Sequence, residues 1–384
     1  MPLIKKIIFH IGGEDVRMRI PILKKMIKNE FLVAAIGCND HKAFSKHGIK
    51  YFNYHLNRSI SLLSDIRSKH QLTKIFKNEN PDLIHLFDTK PGVLFPKVAK
   101  NSGIKHVVRT VTGMGYIFSS SSIFIKMLRP LYRYVQKKAI FYTDAVIFQN
   151  IDDKKYFEKY NLVHKNKSYL VASSGIDVES FISDKPSKDG QDKLRSDLGY
   201  KDNHIVVTLV ARLIKDKGVM EFLKAARLLS SYSNIKFLVV GPIAGEGFQA
   251  ISKSKLDSYA DCVNYIGSVD NVAEILSISD IFVLPTYYRE GLPRILLEAG
   301  SLGLPIIATD MPGCRDVVRH NWNGLLIPIR DPIALGEAIK KLSHNAALRQ
   351  AMGNRNPSFI KDNFDLSIVA DAYAAIYRDL LNHA

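Results

Sequence analysis

Short apolar runs, each ending at glycine, proline or a polar turn and separated by helical stretches, restrict what this chain can fold into. In the first half, residues 6–11, 31–37, 83–87, 106–111 and 145–149 read as short buried strands. Helices are expected over about 20–28 and 61–78. The second half repeats the scheme with strands at 205–210, 236–240, 263–266, 281–284, 305–308 and 324–328, and a helix from Gly218 to about Ser231. Short β-branched runs spaced by ten or more helical residues belong to parallel β/α units, because a parallel strand pair needs a crossover. At 384 residues the chain exceeds what one core usually holds. Residues 184–202, rich in Lys, Asp, Ser and Gly, read as a surface connection. The expected fold is α/β: two doubly wound, Rossmann-like domains facing each other across a cleft. Their bounds are 1–177 and 178–366, and a helix over about 367–384 is a candidate to pack back onto the first.

Charge separates the halves. Of the net +17, residues 1–165 supply all, with 29 Lys and Arg against 12 Asp and Glu, while the remainder holds 25 of each. Such asymmetry points to an anionic partner for the first half alone. Nucleic acid is disfavoured, because no RNA-binding aromatic motif, zinc finger or clear helix-turn-helix is present. An anionic membrane surface is the other class. Residues 123–138 are basic, aromatic and apolar at once, which suits the headgroup region. A buried helix with a solvated basic edge is the competing reading, and both stay open. Residues 1–9 lack the long apolar core of a signal peptide, and no window reaches the roughly 18 apolar residues of a membrane span. Cys38, Cys262 and Cys314 are odd in number and without metal-ligand spacing, which fits a reducing compartment. A cytoplasmic protein is expected.

Glu290 and Glu298 flank the sequence Gly-Leu-Pro-Arg-Ile-Leu-Leu. Gly291 and Pro293 mark a turn and the apolar run begins a buried helix, so Glu290 belongs to the feeding loop and Glu298 about two turns in. The unpaired amides between them form an anion site. A phosphate in the middle with a hydroxylated group at each end outlines a nucleotide-sugar. Glutamate near a helix start is also common for dipole reasons alone. A second set shifts the balance: Arg212 follows the strand 205–210, and Lys217 stands just ahead of the helix begun by Gly218. Two cations at a strand–helix junction can clamp a diphosphate, Arg as a planar fork and Lys as a point charge.

Together these residues resemble retaining glycosyltransferase family 4, of the GT-B fold. The resemblance extends over nearly the whole second half, through Asn264-Tyr265-Ile266-Gly267, the segments 279–285 and 311–318, and Asn323-Gly324-Leu325-Leu326-Ile327-Pro328. It implies that Arg212 and Lys217 bind the donor diphosphate and stabilise charge as it departs, and that Glu290 accepts hydrogen bonds from the donor sugar. It implies further that the amides of Gly291 and Leu292 approach a phosphate, Glu298 holds the ribose hydroxyls, and the backbone at Tyr265, Ile266 and Gly267 faces the base. Gly12 and Gly13 would let the first loop approach the phosphates.

In the first half, segments 82–92 and 109–116 are similar to the subgroup that extends undecaprenyl-diphosphate-linked sugars in capsule, O-antigen and N-glycan precursor assembly. One departure is Thr112, where many members carry a histidine. His85, inside an apolar strand, reads as a core histidine. Asp88, Lys90, Arg109 and Thr112 are the acceptor-side residues, with solvated loop charges as the other reading of the first three. The implied activity is retaining transfer of a hexose or N-acetylhexosamine from a nucleotide-sugar to a lipid-diphosphate-linked saccharide. UDP-linked donors come first and GDP-linked second. The enzyme would work peripherally on the inner face of the plasma membrane. No Asp-x-Asp pair is present, so neither an obligatory metal nor a cofactor is expected. The alternatives are a GT-B sugar-nucleotide epimerase, which needs no acceptor, and a non-catalytic nucleotide-sugar-binding protein.

Overall fold

The computed structural model describes residues 6–38, 41–57, 61–120, 122–243 and 249–382. Residues 1–5 of the stretch read above for a signal peptide lie outside this set. The chain divides into two compact units. The first comprises Met1–Gly175, Glu290–Leu292 and Leu366–Ala384, the second Ile176–Arg289 and Pro293–Asp365. The short segment Glu290–Leu292, expected with the second domain, is thus counted with the first.

The first unit contains strands β1 (Ile7–Ile11), β2 (Leu32–Gly37), β3 (Lys50–Asn53), β4 (Leu83–Leu86), β5 (His106–Val111), β6 (Ala145–Phe148) and β7 (Ser168–Leu170). They form one sheet of order β3-β2-β1-β4-β5-β6-β7 with every pair parallel. β4 and β6 are buried at every position, as strands covered by helices on both faces must be. The order reverses at β1, which has β2 on one side and β4 on the other, so the loops after β1 and β4 leave the sheet together.

Helix Leu366–Asn382 closes one face of this sheet, burying Val369, Tyr373 and Tyr377 against Ile8, Phe87 and Val108. Its Tyr377 hydroxyl meets His10 Nε2 at 3.0 Å and His85 Nδ1 at 2.5 Å, and His85 Nε2 meets Thr110 Oγ1 at 2.7 Å. Burial, then nearby Arg19, lowers the His10 pKa to about 3, and burial also drives that of His85 well down. Both rings are therefore neutral core groups.

The second unit contains β8 (Ile205–Val210), β9 (Ile235–Val240), β10 (Val263–Tyr265), β11 (Ile281–Leu284), β12 (Ile306–Thr309) and β13 (Gly324–Ile327). Their order is β10-β9-β8-β11-β12-β13, again all parallel. The reversal here is at β8 and β11. Each unit is thus a doubly wound α/β fold, with strands within one or two residues of the sequence expectation. Two edge or near-edge elements escaped it: β3 and β7 are short and partly exposed and carry no buried apolar run.

Residues 184–202 are not a bare connection. They hold helix Lys188–Asp197, capped by the Ser187 hydroxyl on the Gly190 amide and supported by Lys188–Asp192 and Lys193–Asp197 pairs. Leu194 and Leu198 alone reach the core cluster around Tyr200 and Val206. Arg195 fastens the helix by donating to the carbonyls of His204 and Ile278. A helix with so thin an apolar stripe reads as a polar linker.

Candidate active site

In the second unit the ends of β8 and β11 lie side by side, with Phe282 beside Thr208. Arg212 is exposed just past β8. The chain then makes a single tight turn, Lys215–Lys217, and enters Gly218 at φ +75°. A side chain at Gly218 would press into the carbonyl oxygen of Pro285, so only glycine lets this turn lie against the end of β11. The close approach makes the carbonyl oxygen of Asp216 a hub. It accepts the amide of Tyr287 at 2.9 Å, the amide of Tyr288 at 3.0 Å and the hydroxyl of Thr286 at 3.1 Å. Thr309, at the end of β12, donates its hydroxyl to the Thr286 carbonyl. The loops after β8, β11 and β12 are thereby tied to one another. Lys217 Nζ ends 5.9 Å from the centre of the Tyr288 ring, the outer range of a cation–π contact.

Charge around this hub is unusual. The Asp216 carboxyl is buried, and burial raises its pKa while the Arg330 guanidinium opposes the shift. Arg330 lies 4.4 Å over the Tyr287 ring. The Tyr287 hydroxyl is pushed up to about 12, by burial first and then by the carboxylates of Glu221 and Asp216.

Glu298 lies in the second turn of helix Arg294–Ser301, one turn closer to its start than expected, because the helix begins at Arg294. Its carboxylate accepts Nε of Arg294 at 2.8 Å. Leu296, Leu297 and Ala299 bury the opposite face and hold the helix on the unit. Tyr265, Ile266 and Gly267 close β10. The Gly267 carbonyl accepts the Gly241 amide at 2.8 Å, and the Tyr265 hydroxyl donates to the Gly241 carbonyl at 3.1 Å. These three residues also line a groove of about 630 Å³ along the β10 edge. Arg212, Lys217 and Glu298 do not line it. The cations sit at the switch point instead, where open α/β sheets take ligands.

In the first unit, Gly12 and Gly13 follow β1, and Asp88 follows β4 at the matching switch point. The Gly13 amide donates to Asp88 Oδ2 at 3.1 Å, and the Tyr54 hydroxyl donates to the Gly12 carbonyl at 2.9 Å. Asp88 adopts φ 66°, a strained backbone for a residue with a side chain. Lys90 is committed to an ion pair with Asp65 at 2.6 Å and donates to the Asn57 carbonyl at 2.6 Å.

Arg109, expected to touch an acceptor, is 1% exposed inside β5. The guanidinium packs against the Gly92 backbone, and burial lowers its pKa to about 10. It is a core residue, not a surface grip. β5 is covered on both faces from Val107 to Val111, so no position there points to solvent, which a short motif does not reveal.

The segment Glu290–Leu292 is pinned within the first unit. Glu290 bridges Gly113, the Gly291 amide donates to the Thr112 carbonyl at 2.8 Å, and Asn150 Nδ2 donates to the Gly291 carbonyl at 2.7 Å. Gly291 was expected to offer its amide to a phosphate; that amide is already engaged by Thr112. A side chain at Gly291 would strike Gln149 Oε1 and the Thr112 backbone. Gln149 and Asn150 were not singled out from sequence. Their signal was a polar pair directly after the apolar strand β6. Among the described residues, no group of three or more His, Cys, Asp or Glu is placed to hold a metal ion.

Two family models match the chain: "Glycosyl transferase 4-like" over residues 13–150 and "Glycosyl transferases group 1" over residues 190–359. A Campylobacter jejuni relative is 27% identical over 97% of this chain and 98% of its own length. It is an N,N'-diacetylbacillosaminyl-diphospho-undecaprenol alpha-1,3-N-acetylgalactosaminyltransferase. An Escherichia coli relative, a UDP-Gal:alpha-D-GlcNAc-diphosphoundecaprenol alpha-1,3-galactosyltransferase, is 29% identical over 85% of this chain and 82% of its own. The fold is similar to that of a solved glycosyltransferase from Rickettsia africae, with a TM-score of 0.80, 16% identity and coverage of 99% and 100% of the two chains. It is also similar to the Anabaena protein HepE solved with UDP and glucose, with a TM-score of 0.77, 15% identity and coverage of 97% and 100%.

Proposed function

Because this chain belongs to the glycosyltransferases, 4-like in its first half and group 1 in its second, we propose that it moves a hexosyl or N-acetylhexosaminyl group from a UDP-sugar to a lipid-diphosphate-linked saccharide. The observation that carries this reading is the switch point of the second unit, where the Asp216 carbonyl fastens the Lys217 turn to the loop Thr286–Tyr288. Arg212 and Lys217 are the cations for the donor diphosphate. With the Lys217 turn held by the fold rather than gathered by the ligand, they stabilise the charge that builds on the leaving group with less reorganisation. Glu298 takes the ribose hydroxyls and Glu290 the donor sugar. UDP-GalNAc and UDP-Gal come first among donors, a reading supported by one relative named for N-acetylgalactosaminyl transfer and another for transfer from UDP-Gal.

Transfer proceeds with retention. The bond from the anomeric carbon to the diphosphate oxygen breaks, and the acceptor hydroxyl oxygen bonds that carbon on the same face. Its proton passes to the departing diphosphate oxygen, so no protein nucleophile is needed. The protein works peripherally at an anionic membrane face, the inner surface of the plasma membrane, where basic residues of the first unit contribute about 1 kcal/mol each close to the lipid.

The test is a screen of UDP- and GDP-sugars with an undecaprenyl-diphosphate-linked monosaccharide. UDP release that depends on the acceptor, with an elongated lipid-linked product of retained anomeric configuration, is expected. Acceptor-independent release of UDP and an epimerised sugar overturns the proposal, as does nucleotide-sugar binding without transfer. Thermal stabilisation ranks the donors beforehand, since a ligand at about 100 Kd adds roughly 2.7 kcal/mol.

A further inference from the structure

Two helices of the first unit begin with the same exposed apolar pattern. Helix Leu62–Glu79 opens on Leu62, Leu63 and Ile66, which are 78%, 83% and 62% exposed. Helix Ile123–Met127 opens on Ile123, Phe124 and Met127, at 74%, 82% and 70%. Each triad has the spacing i, i+1, i+4, which gathers its three side chains on one side of the first turns. A scattered exposed leucine needs no explanation, but two clustered triads do.

Their surroundings are basic. Along the second triad and the helix Arg129–Phe141 that follows it run Lys126, Arg129, Arg133, Lys137 and Lys138, with no acidic residue. The first triad is followed within its own helix by Arg67 and Lys69. The two triads are also mechanically linked. Asp65, one residue before Ile66, holds the ion pair with Lys90, and helix Thr89–Leu94, which carries Lys90, packs on helix Arg129–Phe141.

We propose that Leu62, Leu63 and Ile66 form a second membrane anchor, paired with Ile123, Phe124 and Met127, on an anionic lipid bilayer. This rests on the reading that the acceptor is lipid-borne. Apolar side chains beside cations match the layered chemistry of headgroups over acyl chains. Stable peripheral anchoring ordinarily takes two signals, and each triad joins an apolar element to neighbouring cations. Two anchors on one unit also fix its orientation, which one contact leaves free to rotate.

Sedimentation with vesicles of phosphatidylcholine containing about one third phosphatidylglycerol reads the partition directly. Leu62→Ser/Leu63→Ser/Ile66→Ser is expected to bind at least about tenfold more weakly, as is Ile123→Ser/Phe124→Ser/Met127→Ser, and the combination to lose binding. A polarity-sensitive fluorophore on Leu63→Cys in a Cys262→Ser background reports the same contact without removing it, because Cys38 and Cys314 are buried. Its emission should shift to the blue with anionic vesicles.

The proposal fails if that label stays unmoved while one on Phe124→Cys shifts. It fails equally if the first triad instead drives vesicle-independent self-association that the serine variant abolishes. Turnover of a water-soluble short-chain acceptor separates this from the functional reading. The serine variants should keep it, whereas absent turnover in the parent with vesicle binding intact sinks the transferase substrate reading and leaves the anchors standing.

Discussion

Arg294 donates Nε–H to the Glu298 carboxylate across one helical turn at 2.8 Å, so the second glutamate of the motif is oriented by the helix that carries it. The side chain of Glu298 is 14% exposed and that of Arg294 40%. One carboxylate oxygen thus accepts from Arg294, and on the proposed reading the other takes the ribose diol.

Glu298→Ala should therefore weaken UDP binding by about 1.5–3 kcal/mol, roughly ten- to hundredfold, the range for hydrogen bonds to charged groups. Arg294→Ala should lose less, about 0.5 kcal/mol, since it removes only the orienting pair. Glu290→Ala should leave UDP affinity nearly unchanged and lower kcat. Titration calorimetry with UDP decides this; equal losses in the two glutamate variants would contradict the division of roles.

Arg212→Ala and Lys217→Ala should each lower kcat by about 10²–10³ with unchanged unfolding midpoints. Tyr288→Leu should cost a smaller factor, about 0.5–1 kcal/mol of transition-state stabilisation, while Tyr288→Phe keeps the ring face and near-parental rate. Steady-state kinetics with the donor saturating tests both. A Phe variant as slow as the Leu variant would assign the effect to the hydroxyl instead.

Gly218→Ala should destabilise the protein by at least about 1–2 kcal/mol, the cost of forcing a side chain into the left-handed backbone region. The clash with Pro285 adds to it and shifts the Lys217 turn, so activity should fall further than stability. Urea unfolding alongside kcat measures the two effects separately.

Much of this was legible in the sequence, and two of the failures share a cause. Strand cores such as residues 205–210 and 281–284 announce themselves, because a strand buried on both faces is apolar throughout. Arg212, Lys217 and Gly218 could be singled out because chain order puts them directly after a strand. Arg109 could not be judged that way, since that both faces of β5 are covered depends on what packs over them. The same holds for Gly291: its amide was assigned to a phosphate because the partner, the Thr112 carbonyl, lies far away in the sequence. The helix Lys188–Asp197 was hidden by polarity, with Leu194 and Leu198 its only apolar anchors.

Stability should fall with acid. The folded-state pKa of His10, about 3, lies below its ordinary 6.5, and that of His85 is lowered too. Below about pH 6.5 the unfolded chain takes up protons that the buried rings refuse. The stabilisation is thus complete above that pH and is lost as pH falls toward the folded value, at about 1.4 kcal/mol per pH unit for each histidine. Urea midpoints measured between neutral pH and about pH 5 should show this slope.

Helix Leu366–Asn382 follows the second unit in the chain yet supplies Tyr373 and Tyr377 to the core of the first. On the ribosome, β1 to β7 emerge early but stay without one of their covering faces until residues 366–382 are made. The unit synthesised first is consequently completed last, and during that delay its apolar sheet face is what a chaperone would meet.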